Sequence, residues 1–266
     1  CETVCPSGVQ YGRIAEAARE ILGPPGSPPA RAIQKFAFTQ LLPSPQMLRT
    51  VARLLRFYQK SGVQRLVRAL LPARLKEMEA MLPPIPERFF KPSAELLPAI
   101  GDRRARVAML GGCVMSLLFA DINEATARVL RRNGCDVLIP KAQGCCGALN
   151  IHNGETRMAK VMARRNIDAF LDAGVDAVIV NAAGCGAAMK EYGHLLRDDS
   201  AYRDKAQRFG QMVKDASEFL AGIGLLKPTG RIEMTVTYQD PCHLAHGQKV
   251  RAQPRALLAA IPGLRV

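Results

Sequence analysis

The hydrophobic pattern of the first hundred residues is that of amphipathic helices separated by proline-rich segments. Apolar residues recur at helical spacing from 11 to 22, from 47 to 58 and from 63 to 71. The first of these runs ends abruptly at 23–29, where glycines and prolines dominate, and a second proline-rich segment covers 83–98. The pattern predicts an extended helical region followed by a linker.

From residue 104 onward the pattern changes, because short apolar runs now alternate with amphipathic stretches. This alternation is typical of a parallel α/β sheet. Helix stops are expected at Asn133-Gly134 and at Gly174. The predicted strands are 107–110, 137–139, 177–180 and 234–238, and the predicted helices lie near 119–132, 155–172, 186–196 and 202–221.

The composition and charge of the chain argue against several classes of function. No stretch approaches eighteen consecutive apolar residues, and no basic and apolar leader is present, so we expect a cytoplasmic protein with no membrane span. The formal charge is +14, but aromatic residues are only 5% and Trp is absent, which argues against a nucleic-acid partner.

The stretch 43–76 carries eight Lys or Arg and no acidic residue. It is interpreted as a solvated helix face, with an acidic partner or a membrane surface as the alternatives.

Eight cysteines without a secretion signal favour a metal or redox role over a disulfide framework. Cys113 follows the first predicted strand, Cys145 and Cys146 follow the second, and Cys185 follows the third. Because the carboxyl ends of parallel strands lie at one edge of a sheet, we expect these four thiols to converge. Glycines beside them allow the backbone to approach a bulky centre. Cys135 lies at a strand entrance, on the opposite edge, and is interpreted as structural.

Cysteines also occur near both ends of the chain. Cys1, Cys5 and the proline after it match the end of the C-x₂-C-x₂-C-x₃-C-P run that binds [4Fe–4S] clusters, in which the fourth cysteine can ligate a second cluster. The chain begins with Cys1 rather than Met, so we expect a fragment, cut at both ends, with the remaining ligands upstream. Cys242 is read as the first cysteine of a second copy of the unit. A zinc site with His243 and His246 is the alternative.

The cysteine spacing resembles the cysteine-rich CCG domain. Thirty-one residues separate Cys113 from Cys145, and thirty-eight separate Cys146 from Cys185. That domain occurs in heterodisulfide reductase subunits and in iron–sulfur subunits of several dehydrogenases. Several longer segments resemble the sequences of the family of glycolate oxidase iron–sulfur subunits. These segments are 5–12, 144–148, 163–168, 184–194 and 240–243.

The resemblance implies a fold and a division into domains. The fold is α/β, with a parallel-sheet CCG domain preceded by a helical region that follows a truncated ferredoxin-like [4Fe–4S] domain. The implied segments are the ferredoxin-type tail, the helical connecting region, the first CCG domain and the truncated start of a second one, at 1–22, 23–100, 101–228 and 229–266.

The resemblance also implies a role. The chain would pass electrons from a flavin-bearing subunit, which oxidises glycolate to glyoxylate, toward a quinone or another acceptor, at the cytoplasmic face of the inner membrane. Two [4Fe–4S] clusters are expected in the full-length chain, with Cys1 and Cys5 among their ligands, and FAD on the partner subunit only. Cys113, Cys145, Cys146 and Cys185 would hold a further cluster or metal, and Cys242 would belong to the second unit.

One departure from the family pattern affects the predicted site. The fullest CCG pattern ends in C-x-x-C, whereas this chain has Ala188 three residues after Cys185. The Ala argues against a disulfide reductase of the heterodisulfide type. The iron–sulfur subunit of an L-lactate or anaerobic glycerol-3-phosphate dehydrogenase remains an alternative, as does a zinc-stabilised interaction module.

Overall fold

The structure, a computed structural model, describes residues 5–266. The predicted ligand Cys1 therefore lies outside the described residues. Between residues 11 and 80 the chain forms five α-helices, three of which follow the predicted helical spacing. Their bounds are α1 Tyr11–Leu22, α2 Pro28–Phe36 with a π-helical turn at Ala37–Leu41, α3 Pro45–Lys60, α4 Val63–Leu70 and α5 Ala73–Ala80.

Two of these helices, α2 and α5, were not predicted. The segment 23–29 was interpreted only as a helix stop, but proline is also well tolerated in the first helical turn, and Pro28 begins α2. Helix α3 likewise begins with Pro45, behind a Ser44 cap whose side chain accepts the Met47 amide proton. Among the described residues of α1 to α5, only Ala52 is buried.

The second half of the chain is a mixed α/β unit, as predicted. Its elements up to the end of the main sheet are β1 Leu96–Leu97, β2 Ala105–Met109, α6 Val114–Leu118, α7 Ala120–Arg132, β3 Cys135–Leu138, α8 Ala148–His152, α9 Thr156–Leu171, β4 Ala177–Val180, α10 Ala183–Lys190, α11 Tyr192–Leu195, α12 Arg203–Met212, β5 Val213–Asp215 and α13 Ala216–Ile223. Then follow β6 Met234–Thr235, a π-helical turn His243–Gly247, α14 Ala252–Ala259 and β7 Leu264–Arg265.

The main sheet has the strand order β1-β3-β2-β4-β5. Strands β2 to β5 run parallel, and β1 pairs antiparallel with β3 at one edge. The chain passes from β2 to β3 on one side and then crosses to β4 on the other side. The carboxyl ends of β2 and β4 therefore flank the point at which the chain reverses direction, where open α/β folds form their sites.

The strands alternate their side chains between two apolar cores, one on each face of the sheet. Ala108 and Val178 contribute to the core that contains Phe170, Tyr192 and Phe209. Their neighbours in sequence, such as Val107 and Ile179, contribute to the opposite core under α7 and α13. Burial on both faces explains why the strands read as continuous apolar runs rather than alternating ones.

The predicted helix 202–221 is wrong, because a strand divides it. Val213–Asp215 pairs with Val178–Val180, and a new helix then starts at a capping box. Asp215 accepts the Ser217 amide proton at 2.8 Å, and Glu218 accepts the Asp215 amide proton at 3.2 Å. An acidic cap followed three residues later by Glu is a known helix-start signal, and Asp215 with Glu218 fits it.

The predicted fourth strand was also placed incorrectly. Only Met234–Thr235 is extended, and it pairs with Leu264–Arg265 in a separate two-stranded parallel sheet. Both residues of β6 are exposed, whereas the fourth parallel place in the main sheet belongs to β5. Burial at β5 thus outweighs the stronger β propensity of 234–238.

Two helical glycines give a matched test of the packing. An alanine Cβ at Gly210 would lie 2.7 Å from the Lys190 carbonyl oxygen, whereas one at Gly222 would meet open space. We expect Gly210→Ala to lower the free energy of unfolding by about 1–3 kcal/mol, because the crowded α10–α12 contact must open. Gly222→Ala should raise it by about 0.5–1 kcal/mol through helix propensity. Urea denaturation measures both, and a stabilising Gly210→Ala would contradict the contact.

Candidate functional site

The four strand-end cysteines lie together at the carboxyl edge of the sheet. The sulfur atoms of Cys113 and Cys145 are 3.4 Å apart, and Cys146 interacts with both Cys145 and Cys185. Cys145 and Cys146 are buried, while Cys113 and Cys185 are half-buried. Side chains that are far apart in sequence therefore form one continuous row of thiols.

The local backbone explains how each cysteine is positioned. Gly112 has a φ of +68°, which turns the chain out of β2 so that Cys113 directly precedes α6. Gly147 has a φ of +79° and directs its amide toward the Cys145 sulfur at 3.5 Å. Cys185 departs from the prediction. Helix α10 begins at Ala183, so Cys185 lies inside its first turn rather than ahead of a helix at 186.

A buried glutamine connects two of the cysteine-bearing loops. Gln143 accepts the Gly111 amide proton at 2.7 Å and donates to the Met109 carbonyl at 3.1 Å. The Gly111 carbonyl accepts from Ser116 and Asn123, each at 2.9 Å. The loops after β2 and β3 are thereby fixed to each other beside the Cys113–Cys145 contact.

A second buried network holds the Cys145-Cys146 backbone. Asn166 accepts the Gly144 amide proton at 2.8 Å and donates to the Cys145 carbonyl at 2.9 Å. Tyr192 donates to the Cys146 carbonyl at 2.7 Å. Neither polar side chain is exposed. These roles of Asn166 and Tyr192 were not predicted from the sequence. The only indication in the sequence is that both residues lie within the segments that carry the family resemblance.

Burial and the contacts among the thiols together raise the pKa of Cys113, Cys145 and Cys146. The hydrogen bond to Cys145, together with burial, raises the pKa of Cys113 well above that of a free thiol. The same bond lowers the pKa of Cys145, but contact with Cys146 and burial outweigh it and raise that pKa to about 12. For Cys146, the contact with Cys145 lowers the pKa, but Cys185 and burial outweigh it and raise the pKa well above that of a free thiol. A bound cation that replaces these protons would remove the repulsion between thiolates, so the donor set fits a thiophilic metal centre.

The arrangement also bears on the kind of centre. Among residues 5–266, no three Cys, His, Asp or Glu side chains are grouped so that they hold a single metal ion. The thiols form a row from Cys113 through Cys145 and Cys146 to Cys185. A tetrahedral ion needs its four ligands around one point, whereas in a cluster different iron atoms take different thiolates. Four thiolates at one edge of the sheet are donors that both kinds of centre accept.

The other predicted ligands lie elsewhere. Cys5 is half-buried ahead of α1, and Cys242 is exposed directly before the turn His243–Gly247. Within the described part of the chain, neither sulfur forms a hydrogen bond with the four thiols. Cys135 begins β3 at the opposite edge of the sheet and is fully buried, where the sequence placed it.

Ala188 lies one helical turn after Cys185 and packs against the same core. It stands where the second cysteine of a C-x-x-C ending would be. The row of thiols therefore ends at Cys185, and the described unit supplies four cysteines to this edge of the sheet rather than five.

Comparison with known proteins identifies two regions. Residues 107–190 match the model of a family described as a cysteine-rich domain, and this match spans all four clustered cysteines. Residues 29–82 match the linker region of the glycolate oxidase iron–sulfur subunit. No solved structure matches the chain.

Several curated proteins are similar over most of the chain. A probable glycolate oxidase iron–sulfur subunit of Bacillus subtilis is 42% identical, and the alignment covers 99% of this chain and 62% of that protein. The glycolate oxidase iron–sulfur subunit of Escherichia coli is 33% identical over 97% of this chain and 60% of that protein. Lactate utilization protein A of Bacillus licheniformis is 30% identical over 60% of this chain. The chain thus spans about three fifths of the length of the first two relatives.

Proposed function

Because this chain belongs to the family of glycolate oxidase iron–sulfur subunits, we propose that it carries electrons within a glycolate oxidase complex. The electrons would come from a flavin-bearing subunit that oxidises glycolate to glyoxylate and would pass toward a quinone or another acceptor. The observation that carries the proposal is the row of four thiols at one sheet edge, inside a chain that aligns with that family from end to end.

We assign Cys113, Cys145, Cys146 and Cys185 as the ligands of an iron–sulfur centre in this unit. When bound, such a centre supplies one-electron transfer at a potential set by its surroundings. The protein holds the ligand loops rigid through Gln143 and the Asn166–Tyr192 network and buries two of the four sulfurs. A rigid, partly dry site changes little between oxidation states, which favours rapid relay of electrons.

The ends of the chain are assigned by the same family pattern. Cys1 and Cys5 would ligate [4Fe–4S] clusters of a ferredoxin-type segment at 1–22, and Cys242 would belong to a second CCG unit starting at 229. Helix α1 supports this assembly, because it is docked on α8, the helix that follows the Cys145-Cys146 loop. Arg19 donates to the His152 carbonyl at 2.6 Å, and the His152 ring pairs with Glu16 at 2.8 Å. The ferredoxin-type segment would thereby be held against the CCG unit.

The second candidate function is the iron–sulfur subunit of an L-lactate dehydrogenase complex, which the similarity to lactate utilization proteins favours. That similarity covers 60% of the chain, whereas the glycolate oxidase relatives cover nearly all of it, including the helical region. We therefore propose glycolate rather than L-lactate as the substrate of the complex.

None of the helices within residues 5–266 is long and apolar enough to cross a membrane. The location that we propose is peripheral, at the cytoplasmic face of the inner membrane.

The test uses the full-length subunit, purified anaerobically with its flavin-bearing partner. Electron paramagnetic resonance would be recorded after addition of glycolate, L-lactate or glycerol 3-phosphate. We expect iron–sulfur signals that are reduced by glycolate and remain unchanged with the other two substrates. Reduction by L-lactate alone would favour the second candidate. Zinc in place of iron, with no cluster signal, would eliminate both.

A further inference from the structure

A cavity of about 470 Å³ opens beside the row of thiols. Its wall combines the start of α3, the loop after β2 and the loop after β3, and it reaches the Cys113 and Cys145 side chains directly. The volume falls within the roughly 300–1,000 Å³ that is typical of small-molecule sites. It is far larger than a two-carbon hydroxy acid requires.

The charges around this cavity are of one sign. Arg49, Lys141 and Arg165 line it, and among residues 5–266 no Asp or Glu belongs to its wall. Arg165 donates through Nε to the Ala142 carbonyl at 2.7 Å, which fixes its guanidinium over the loop after β3. Within the described chain, the side chains of Arg49 and Lys141 have no hydrogen-bond or ion-pair partner. Three cations without a counter-charge attract an anion and repel one another without it.

The rest of the wall is apolar. Leu48 of α3, Leu117 of α6 and the ring of Phe90 line the cavity, together with several prolines. Phe90 is held in place, since its amide donates to the Ser116 carbonyl at 2.9 Å. An inorganic anion would leave this surface uncovered, whereas an organic acid with an aromatic or branched aliphatic body would cover it.

We propose that this cavity binds a small organic carboxylate with an apolar body, with its charge on Arg49, Lys141 and Arg165 and its body against Phe90 and Leu117. Cys113 and Cys145 line the same cavity, so the bound ligand would lie beside the proposed centre. A centre held by the four thiols would occupy the end of the cavity at Cys113 and Cys145, and the proposed ligand takes the remaining part, between the start of α3 and the loop after β3.

Calorimetric titration of the full-length subunit with benzoate tests the proposal, with acetate and benzyl alcohol as probes that lack the apolar body and the charge, respectively. We expect one saturable benzoate site and binding at least about tenfold weaker for each of the other two. Arg49→Gln and Lys141→Gln should each weaken benzoate about tenfold. Arg53→Gln is the matched control, because it removes the same charge from an exposed position of α3 outside the cavity and should leave the affinity within about twofold.

Three outcomes overturn the proposal. They are the absence of saturable benzoate binding, an affinity that both cavity variants leave unchanged, and equal binding of benzyl alcohol. Each is read from heats of binding rather than from electron transfer. Failure here is therefore distinguishable from failure of the electron-transfer function, which is judged by the cluster signals.

Discussion

Replacement of Cys146 by alanine in the full-length subunit is expected to remove the iron that we propose for the CCG unit, while the clusters proposed for the ferredoxin-type segment remain. Cys146 is buried in the middle of the row and interacts with the cysteine on each side, so no other described thiol can take its place. Removal of a residue that only hydrogen-bonds to a metal ligand typically lowers metal affinity about 10- to 100-fold, and removal of a ligand itself lowers it more. Iron analysis and electron paramagnetic resonance of the anaerobic protein measure the result.

Cys135→Ala is the control for this variant. Cys135 is as deeply buried as Cys146 but lies at the opposite edge of the sheet, so its removal changes packing without touching the row of thiols. We expect full iron content in Cys135→Ala and reduced iron content in both Cys146→Ala and Cys113→Ala. Iron content that is the same in all three variants would show that the unit holds no iron through these residues.

Asn166→Ala is expected to be the most destabilising substitution of a polar residue near the site. Asn166 is fully buried, accepts from the Gly144 amide and donates to the Cys145 carbonyl and to the Tyr192 hydroxyl. Alanine would leave buried backbone groups without partners, and each costs about 1–3 kcal/mol. We therefore expect the free energy of unfolding to fall by about 3–5 kcal/mol, as measured by urea denaturation.

Asn153→Ala provides the comparison. Its side chain donates only to the Leu149 carbonyl, one turn earlier and at a half-exposed position, so water can replace the lost bond. We expect a loss below about 1 kcal/mol. If Asn166→Ala were no more destabilising than Asn153→Ala, the buried network would not be what holds the Cys145-Cys146 loop.

The sequence allowed prediction of the elements whose signals are local. Helices α1, α3, α4, α7 and α9 follow from helical spacing, and strands β2, β3 and β4 follow from short apolar runs. Division of 202–221 was missed because Val213–Asp215 becomes a strand only through pairing with Val178–Val180. The predicted strand 234–238 is longer than the observed two-residue β6. Its β-branched residues favour a strand locally, but they find no buried neighbour in the main sheet.

The sequence by itself determined that four cysteines follow parallel strands and must lie at one edge of the sheet, because the direction of parallel strands fixes where their carboxyl ends lie. Only the tertiary structure decided how the thiols are arranged. The close Cys113–Cys145 contact, the place of Cys185 inside α10 and the support from Asn166 and Tyr192 depend on packing between elements distant in the chain. The charged cavity likewise exists only because the start of α3 packs across the loops that carry the cysteines.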